Sequence, residues 1–281
     1  MIGSTISTRT TTRGPEPRHQ PVKALVTNDD GIESAGLHAL AELVSELGFE
    51  MVVAAPPVNL SGVSASLVPL DDPGRVRVDA FDLPGLGATP AYSVGAPPAL
   101  IVMLAMIGGF GDPPDLVLAG VNLGPNTGRS TLFSGTIGAV MAGARFGRSG
   151  LAVSLDVPPS AEGERIWSTA AHFAAPLTRW LASAPGPMML NLNVPNLSAS
   201  EVRGLRQADL ASVGRVRTVI AGRDSTGINI DLVPTDDEAP AGTDSALLGE
   251  GYATVTALDP VRPLEWNLPI GDWADEVGVP G

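Results

Sequence analysis

The stretch LVTNDDGIESAG, Leu25 to Gly36, constrains the fold more than any other part of the chain. Val22 to Thr27 is a β-branched and aliphatic run that reads as a buried strand, and it passes straight into Asn-Asp-Asp-Gly. Leu37, Leu40, Val44 and Leu47 then recur at helical spacing, and Gly48 stands where a helix should stop. Glu50 to Ala55 (EMVVAA) reads as a second strand. The opening is therefore β-α-β, with the acidic turn at the carboxyl end of its first strand, the edge where parallel α/β sheets bind ligands. Two adjacent carboxylates there repel each other and need a cation, a hydrogen-bond donor or open water beside them.

The same theme repeats downstream. Asp115 to Ala119 reads as a strand, Gly135 to Phe146 as a helix rich in small residues, and Leu151 to Leu155 as a strand. A helix over Arg165 to Leu181 leads to a strand over Met188 to Val194, closing an α/β core over 22–195. After Pro195 the texture changes to short strands (Val202 to Gln207, Tyr252 to Leu258), a polar Gly-containing region from Arg215 to Val233 and the acidic loop Thr235 to Asp244. Residues 196–281 are expected to form a β-rich elaboration used in oligomerisation, within one domain spanning 22–281. With 281 residues, 44% of them hydrophobic, such a domain buries a sizeable core. Residues 1–21 are polar, basic and rich in Thr and Pro; they lack an apolar signal core and are expected to be a disordered tail.

Composition removes several function classes. A net charge of -13 and a pI near 4.5 argue against binding to a nucleic-acid duplex. Lys23 is the only lysine, which excludes a P-loop and any Schiff-base chemistry beyond the first strand. With no cysteine there is no disulfide, thiolate nucleophile or Cys-based zinc site, and a cytoplasmic location fits. The longest apolar run, around Ala99 to Ile107, is far short of the ~20 residues that span a bilayer. His19, His38 and His172 have no ligand spacing, so packing or surface roles are expected. Met103 and Met106 read as core, and Trp180 and Trp273 as packing or interface residues.

Three polar, Gly-bearing segments follow predicted strands: TNDDG (Thr27 to Gly31), NLSG (Asn59 to Gly62) and AGVNLGPNTG (Ala119 to Gly128). In a parallel sheet all three lie on one edge, which brings Asp29, Asp30, Ser61 and Asn122 within reach of one another. Such an all-oxygen set suits a hard divalent cation, Mg²⁺ or Mn²⁺. A fourth segment, LFSGTIGAVMAG, puts Ser134, Gly135 and Thr136 where the small-residue helix begins. Unpaired amides and the positive dipole end suit a phosphate there. Each segment alone is more often an ordinary turn or helix cap; their coincidence on one edge is what points to a site. A cation held by carboxylates opposite an anion-binding helix start describes a phosphate-ester hydrolase.

These motifs resemble those of the SurE family, survival proteins that act as metal-dependent 5′/3′-nucleotidases and acid phosphatases. VTNDDGIESAGLHALAELV resembles the family's opening motif, APPVNLSGVSASL its serine loop, and LVLAGVNLGPNTGRSTLFSGTIGAVMAGARFG its central signature. LAVSL, LNLNVP and GTDSALLGEGYATVTAL follow in the family's order. The resemblance implies a Rossmann-like three-layer parallel sheet, a divalent metal cation, and a homodimer or homotetramer with exchanged C-terminal elements. It puts metal ligands at Asp29, Asp30, Ser61 and Asn122, with the two aspartates catalytic. Phosphate and substrate contacts fall on Asn28, Asn126, Ser134, Gly135 and Thr136. The expected activity is release of phosphate from nucleoside monophosphates or a related small ester by water attack.

The chain also departs from the family's pattern. Gly95 to Leu100 (GAPPAL) stands where a Gly-Thr-Pro-x-Asp-Cys segment is usual. Arg129-Ser130 replace Asp-Asp, Phe133 a Tyr, Ala142 a Glu of the central helix, Ala65 a His or Asn, and Val68 a Thr. Loss of residues around a metal commonly costs ~10–100-fold in affinity or activity. The alternative expectation is therefore a weakened or silent metal- and nucleotide-binding oligomer.

Overall fold

The computed structural model describes residues 21–157, 163–235 and 238–259. The expectations for the N-terminal tail, His19 and Trp273 lie outside those residues. The described chain contains β1 (Lys23–Thr27), α1 (Ala35–Glu46), β2 (Glu50–Ala55), β3 (Val78–Ala80), β4 (Ala91–Val94), α2 (Pro98–Met106) and β5 (Leu116–Leu123). A 3₁₀ turn over Gly128–Phe133 enters α3 (Gly135–Arg145), followed by β6 (Ser149–Asp156), α4 (Trp167–Leu181) and β7 (Met189–Pro195). Beyond these come β8 (Leu205–Gln207), β9 (Val216–Arg223), β10 (Ile228–Pro234), α5 (Asp244–Gly249) and β11 (Ala253–Leu258).

Nine strands form one sheet in the order β3-β4-β2-β1-β5-β6-β7-β11-β8. From β4 through β7 neighbouring strands are parallel; β3 and β11 pair antiparallel at either side, and β8 runs parallel to β11. The arrangement is the Rossmann-like α/β sheet expected from the sequence. Both faces are covered, which explains why the strands read as continuous apolar runs. Val26, Val53, Leu118 and Leu151 pack with Leu37, Leu40 and Val44 of α1 and Ala170 and Ala174 of α4. Leu25, Val52 and Val117 pack on the opposite face with Ile101 and Val102 of α2 and Ile137 and Val140 of α3. The alternation of Leu25 and Val26 between two cores is the period-two geometry of a strand.

The small residues of α3 permit close packing. A Cβ on Gly143 would lie 2.7 Å from Val117 Cγ2, and one on Gly138 only 2.4 Å from the Ser64 carbonyl oxygen. The helix thus sits directly on β5 and on the serine loop. Several elements differ in length from their sequence reading: β6 is longer at both ends, β8 shorter, and β5 continues past Ala119 to Leu123. Its register with β6 shifts between Ala119 and Asn122, after which Asn122 and Leu123 pair with Ser154 and Leu155. Gly120 makes the shift possible, with φ +133° and no room for a Cβ, which would lie 2.3 Å from the Val153 carbonyl oxygen. Asn122 is therefore a strand residue at the sheet edge instead of a loop residue.

After Pro195 the chain contributes β8 and β11 to the same sheet. The polar Arg215 to Val233 region forms the two-stranded hairpin of β9 and β10, a separate sheet. Among the described residues no helix is long and apolar enough to cross a membrane.

Candidate active site

Asp29 follows β1 directly and is 2% exposed. Its Oδ2 accepts a hydrogen bond from the Gly135 amide at 3.1 Å, and its Oδ1 accepts one from the Thr136 hydroxyl at 2.6 Å. The N-terminus of α3 therefore receives the chain's own carboxylate. This revises the expectation for Gly135 and Thr136, whose donors orient Asp29 instead of standing open for phosphate. Ser134 caps α3 by accepting from the Ile137 amide at 3.1 Å, which leaves its hydroxyl proton free to donate. Burial raises the Asp29 carboxyl above the ordinary carboxylate value, and the bonds from Thr136 and Gly135 only partly offset it.

Asp30 is held by two other elements. Asn59 donates to its Oδ1 at 3.1 Å, and the Leu123 amide at the end of β5 donates to its Oδ2 at 3.0 Å. Burial pushes its carboxyl up to about 6; the charge of Asp29 adds to the rise, while the Leu123 amide and Asn59 act against it. Asn59 also accepts from the Ser61 amide at 2.9 Å, so one side chain fastens the serine loop to the acidic turn. The Leu60 amide donates to the Asp29 carbonyl at 2.7 Å, and the Ser64 hydroxyl donates to the Leu132 carbonyl at 2.7 Å. Those bonds dock the loop on both β1 and the entry to α3.

Asp29, Ser61, Asn122, Asn126 and Ser134 line one cleft of about 650 Å³ at the carboxyl edge of the sheet. Asn122 donates its amide nitrogen to the Gly124 carbonyl at 2.7 Å, leaving its side-chain oxygen as an acceptor for a cation. Asp29, Ser61 and Asn122 bring a carboxylate, a hydroxyl and an amide oxygen to this cleft, the donor types a hard cation such as Mg²⁺ or Mn²⁺ takes, whereas Asp30, next to Asp29 in the chain, is not among the residues that line it. Both carboxyls stand at raised values, the electrostatic condition a divalent cation relieves. Among the described residues no group of three or more His, Asp or Glu gathers anywhere.

Asn28 is fully buried and not in the cleft. Its amide donates to the Gly31 carbonyl at 3.2 Å and the Ser34 hydroxyl at 2.6 Å, and its oxygen accepts from the Gly31 amide at 3.2 Å. Both amide protons are spent, so Asn28 shapes the turn that presents the aspartates and is not a substrate contact. Asn126 is fastened by residues the sequence reading missed. Its amide donates to Asn193 Oδ1 at 2.8 Å, its side chain to the Ser154 hydroxyl at 2.9 Å, and its carbonyl accepts from Asn191 and Asn193 at 2.8 and 3.0 Å. Asn191 and Asn193 lie two apart on β7 and hence on one face. The signal was present: two asparagines alternating with leucines in a strand buried throughout. Asp244 was missed too. It is buried and accepts from the amides of Gly128, Ala211 and Ser245 at 2.7, 3.0 and 2.7 Å, tying the asparagine loop to α5.

The departures from the family pattern fall mainly elsewhere. Ala65, Ala99 and Ala142 line a second, largely apolar cleft of about 730 Å³ with Met103, Met141, Met188 and Met189. Of the altered positions, Ser130 and Phe133 line the cleft that holds Asp29.

The profile of the family described as Survival protein SurE matches residues 24–217. The chain is 35% identical to a 5′-nucleotidase SurE of Aeromonas hydrophila over 263 residues, covering 92% of this chain and all of the relative. It is 34% identical to a 5′/3′-nucleotidase SurE of Salmonella arizonae over 264 residues, 92% of this chain and 98% of the other. The crystal structure of the SurE protein from Aquifex aeolicus superposes with a TM-score of 0.67 at 29% identity, covering 85% of this chain and 95% of that one.

Proposed function

The chain belongs to the SurE family, and from that premise we propose that it is a metal-dependent phosphomonoesterase acting on nucleoside monophosphates or a related small phosphate ester. The observation that carries the reading is Asp29, a buried carboxylate clamped by Gly135 and Thr136 at the start of α3, next to Asp30 and at the wall of an open cleft. The names of the relatives agree with it. Asp29, Asp30, Asn122 and Ser61 would hold the cation. When bound, Mg²⁺ or Mn²⁺ supplies neutralisation of the ester's charge and acidification of water.

The chain's own contribution is positioning. Thr136 and Gly135 fix the Asp29 carboxylate, while Asn59 and the Leu123 amide fix Asp30. The Ser134 hydroxyl, with the side chain of Asn126 held by Ser154, faces the phosphoryl oxygens. In the reaction a water oxygen bonds to phosphorus as the ester P–O bond breaks. The water gives up a proton, the leaving oxygen takes one, and inorganic phosphate and an alcohol result. No side chain among the described residues of the cleft is an evident acid for the leaving oxygen, so solvent supplies that proton.

The placing of Ala65, Ala99 and Ala142 in a different cleft supports turnover over silent binding. We further propose a cytoplasmic location, with which the absence of cysteine agrees, and a homodimer or homotetramer, which sedimentation tests. Phosphate release from a panel of esters, with Mn²⁺ or Mg²⁺ and with chelator, tests the activity in the wild type and Asp30→Ala. Release that needs the metal and is lost in the variant is expected. Release indifferent to both chelator and substitution, or no release from any ester, overturns the proposal.

A further inference from the structure

A cleft larger than the one beside Asp29 lies away from it. It encloses about 840 Å³ and runs along α1, between α4 and the segment Phe81 to Pro84. On α1 its lining recurs as Ala35, His38, Ala39, Glu42, Leu43 and Glu46, which is one face of a helix. Ala35 and Ala39, with Ala171 and Ala175 on α4, keep side-chain bulk out of it. The floor is apolar, with Leu43, Leu83 and Trp167, while the rim is acidic. Glu33, Glu42, Glu46 and Asp82 line that rim, all exposed, and among the described residues no Lys or Arg lines the cleft. Among the described residues the one ion pair these four carboxylates make is Glu42 with His38, 3.4 Å apart.

An occupant of matching chemistry lies in the chain itself. The described residues start at Pro21, and residues 1–20 carry Arg9, Arg13 and Arg18 against the single acid Glu16, the reverse of the chain's net charge of -13. They join the fold near one end of the cleft. The Val22 carbonyl accepts from the Glu50 amide at 3.0 Å, and Val22 packs against the same core as Leu47 and Phe49, which follow Glu46 in the chain. Four Cα steps and one strand spacing put Glu46 within about 20 Å of Val22. The α1 face from Glu46 back to Ala35 is a further ~17 Å long. An extended chain gains roughly 3.3 Å per residue, and Pro15 and Pro17 favour such a course. Arg18 then reaches Glu46, Arg13 the middle of the cleft at Glu42, and Arg9 its far end at Glu33. At that far end stands Ser34, whose hydroxyl accepts from the Asn28 amide at 2.6 Å behind the acidic turn.

We propose that residues 9–18 occupy this cleft, with their arginines on its acidic rim, as a strap that joins α1 to α4 and backs the turn carrying Asp29 and Asp30. Complementary charge, a cleft emptied of bulk by four alanines, and the place where residues 1–20 join the fold carry the assignment. It stands apart from the phosphomonoesterase reading, because nothing in its test depends on turnover.

The chain has no cysteine, so an introduced pair reports without background. In the full-length protein Thr11→Cys is combined with His172→Cys, on the cleft wall, or with Trp180→Cys, an exposed α4 position outside the cleft lining. Because α4 ends at the edge of the sheet where β1 begins, position 180 is the nearer target for an undocked chain. Disulfide formation under oxidised glutathione is followed on non-reducing gels, and thermal melts check that each variant folds. Residues 11 and 172 are expected to join within one chain at least tenfold faster than residues 11 and 180. Replacing the three arginines (Arg9→Glu, Arg13→Glu, Arg18→Glu) is expected to bring that rate down to the control, and adding Glu42→Arg and Glu46→Arg to restore it. Should the exchanged variant fail to fold, Glu42→Gln with Glu46→Gln beside the unaltered arginines takes its place and must slow the reaction. Equal rates for the two pairs, a rate indifferent to these charges, or disulfides that join two chains overturn the proposal.

Discussion

Gly135→Ala, set against Gly143→Ala, separates the geometry of Asp29 from the stability of the fold. A Cβ at residue 135 would lie 2.7 Å from Asp29 Oδ2, 2.9 Å from its Cβ and 3.0 Å from its Cγ. To restore an ordinary contact of 3.4 Å from 2.7 Å, the carboxylate must retreat by about 0.7 Å. It has little freedom to do so, because Thr136 holds the other oxygen at 2.6 Å and the Leu60 amide holds the Asp29 carbonyl at 2.7 Å. A misplacement of about 1 Å costs ~10²-fold in rate, so the expected loss in kcat/KM is on the order of tenfold to fiftyfold, with weaker Mn²⁺ binding. Helix propensity acts the other way, since Ala is better than Gly in a helix by roughly 0.5–1 kcal/mol. That gain offsets part of the clash, so the melting temperature should fall less than in Gly143→Ala while activity falls more. Gly143→Ala in the same helix is the control. Its Cβ meets Val117 Cγ2 at 2.7 Å, far from Asp29, and should cost ~1–3 kcal/mol of stability through overpacking while sparing kcat/KM. Mn²⁺ calorimetry, phosphate release and thermal melts on both variants decide the matter. Wild-type activity and Mn²⁺ affinity in Gly135→Ala would refute the claim that α3 sets the position of Asp29.

Thr136→Val removes the hydroxyl bonded to a buried carboxylate, a contact worth ~1.5–3 kcal/mol; Mn²⁺ affinity is expected to fall about tenfold or more, and an unchanged titration contradicts that. Asp244→Ala strands the buried amides of Gly128, Ala211 and Ser245, and urea unfolding should show a loss of roughly 3 kcal/mol or more; a loss under 1 kcal/mol means water replaces the carboxylate there. The Asp30 carboxyl of the cation-free protein, raised to about 6, contributes stability that is fully present below the ordinary carboxylate range and is lost as pH rises through about 6. Mn²⁺ binds the ionised form, so the rise in melting temperature it causes should be small at pH 5 and larger at pH 8; an equal rise at both counts against Asp30 as a ligand.

The central architecture was legible because its signals are local. A strand ending in Asn-Asp-Asp-Gly and a helix with four leucine or valine positions at the right spacing fix β1, α1 and β2 with no distant contact. The extension of β5 was not legible. It depends on Asn122 and Leu123 finding partners on β6 after a register shift, and Gly-Val-Asn-Leu-Gly-Pro by itself reads as loop. The hairpin was passed over for the converse reason. Its strands carry Arg, Thr, Asn and Asp between single apolar residues, and half of that apolar face has no core to explain it.

The four cation-binding candidates followed from placing turns on one sheet edge, and three of them, Asp29, Ser61 and Asn122, share one cleft. Gly135 and Thr136 show where such reasoning stops. A helix start with small residues advertises free amides and a positive potential, so a sequence reader correctly infers that an anion belongs there. Nothing in the local sequence says whether that anion comes from a ligand or from another part of the chain. Here it is Asp29, 106 positions before Gly135. In the proposed function the consequence is that the helix start helps keep a buried carboxylate anionic against the burial that raises its proton affinity, and that anion would give the cleft its hold on a cation. Phosphate recognition would then fall to the groups the helix does not spend on Asp29, above all the Ser134 hydroxyl, which caps α3 with its oxygen and keeps its proton to donate. Ser134→Ala should therefore weaken calorimetric binding of inorganic phosphate in Mn²⁺ buffer while leaving Mn²⁺ affinity near that of the wild type. Loss of Mn²⁺ affinity with phosphate binding intact would reverse these two assignments.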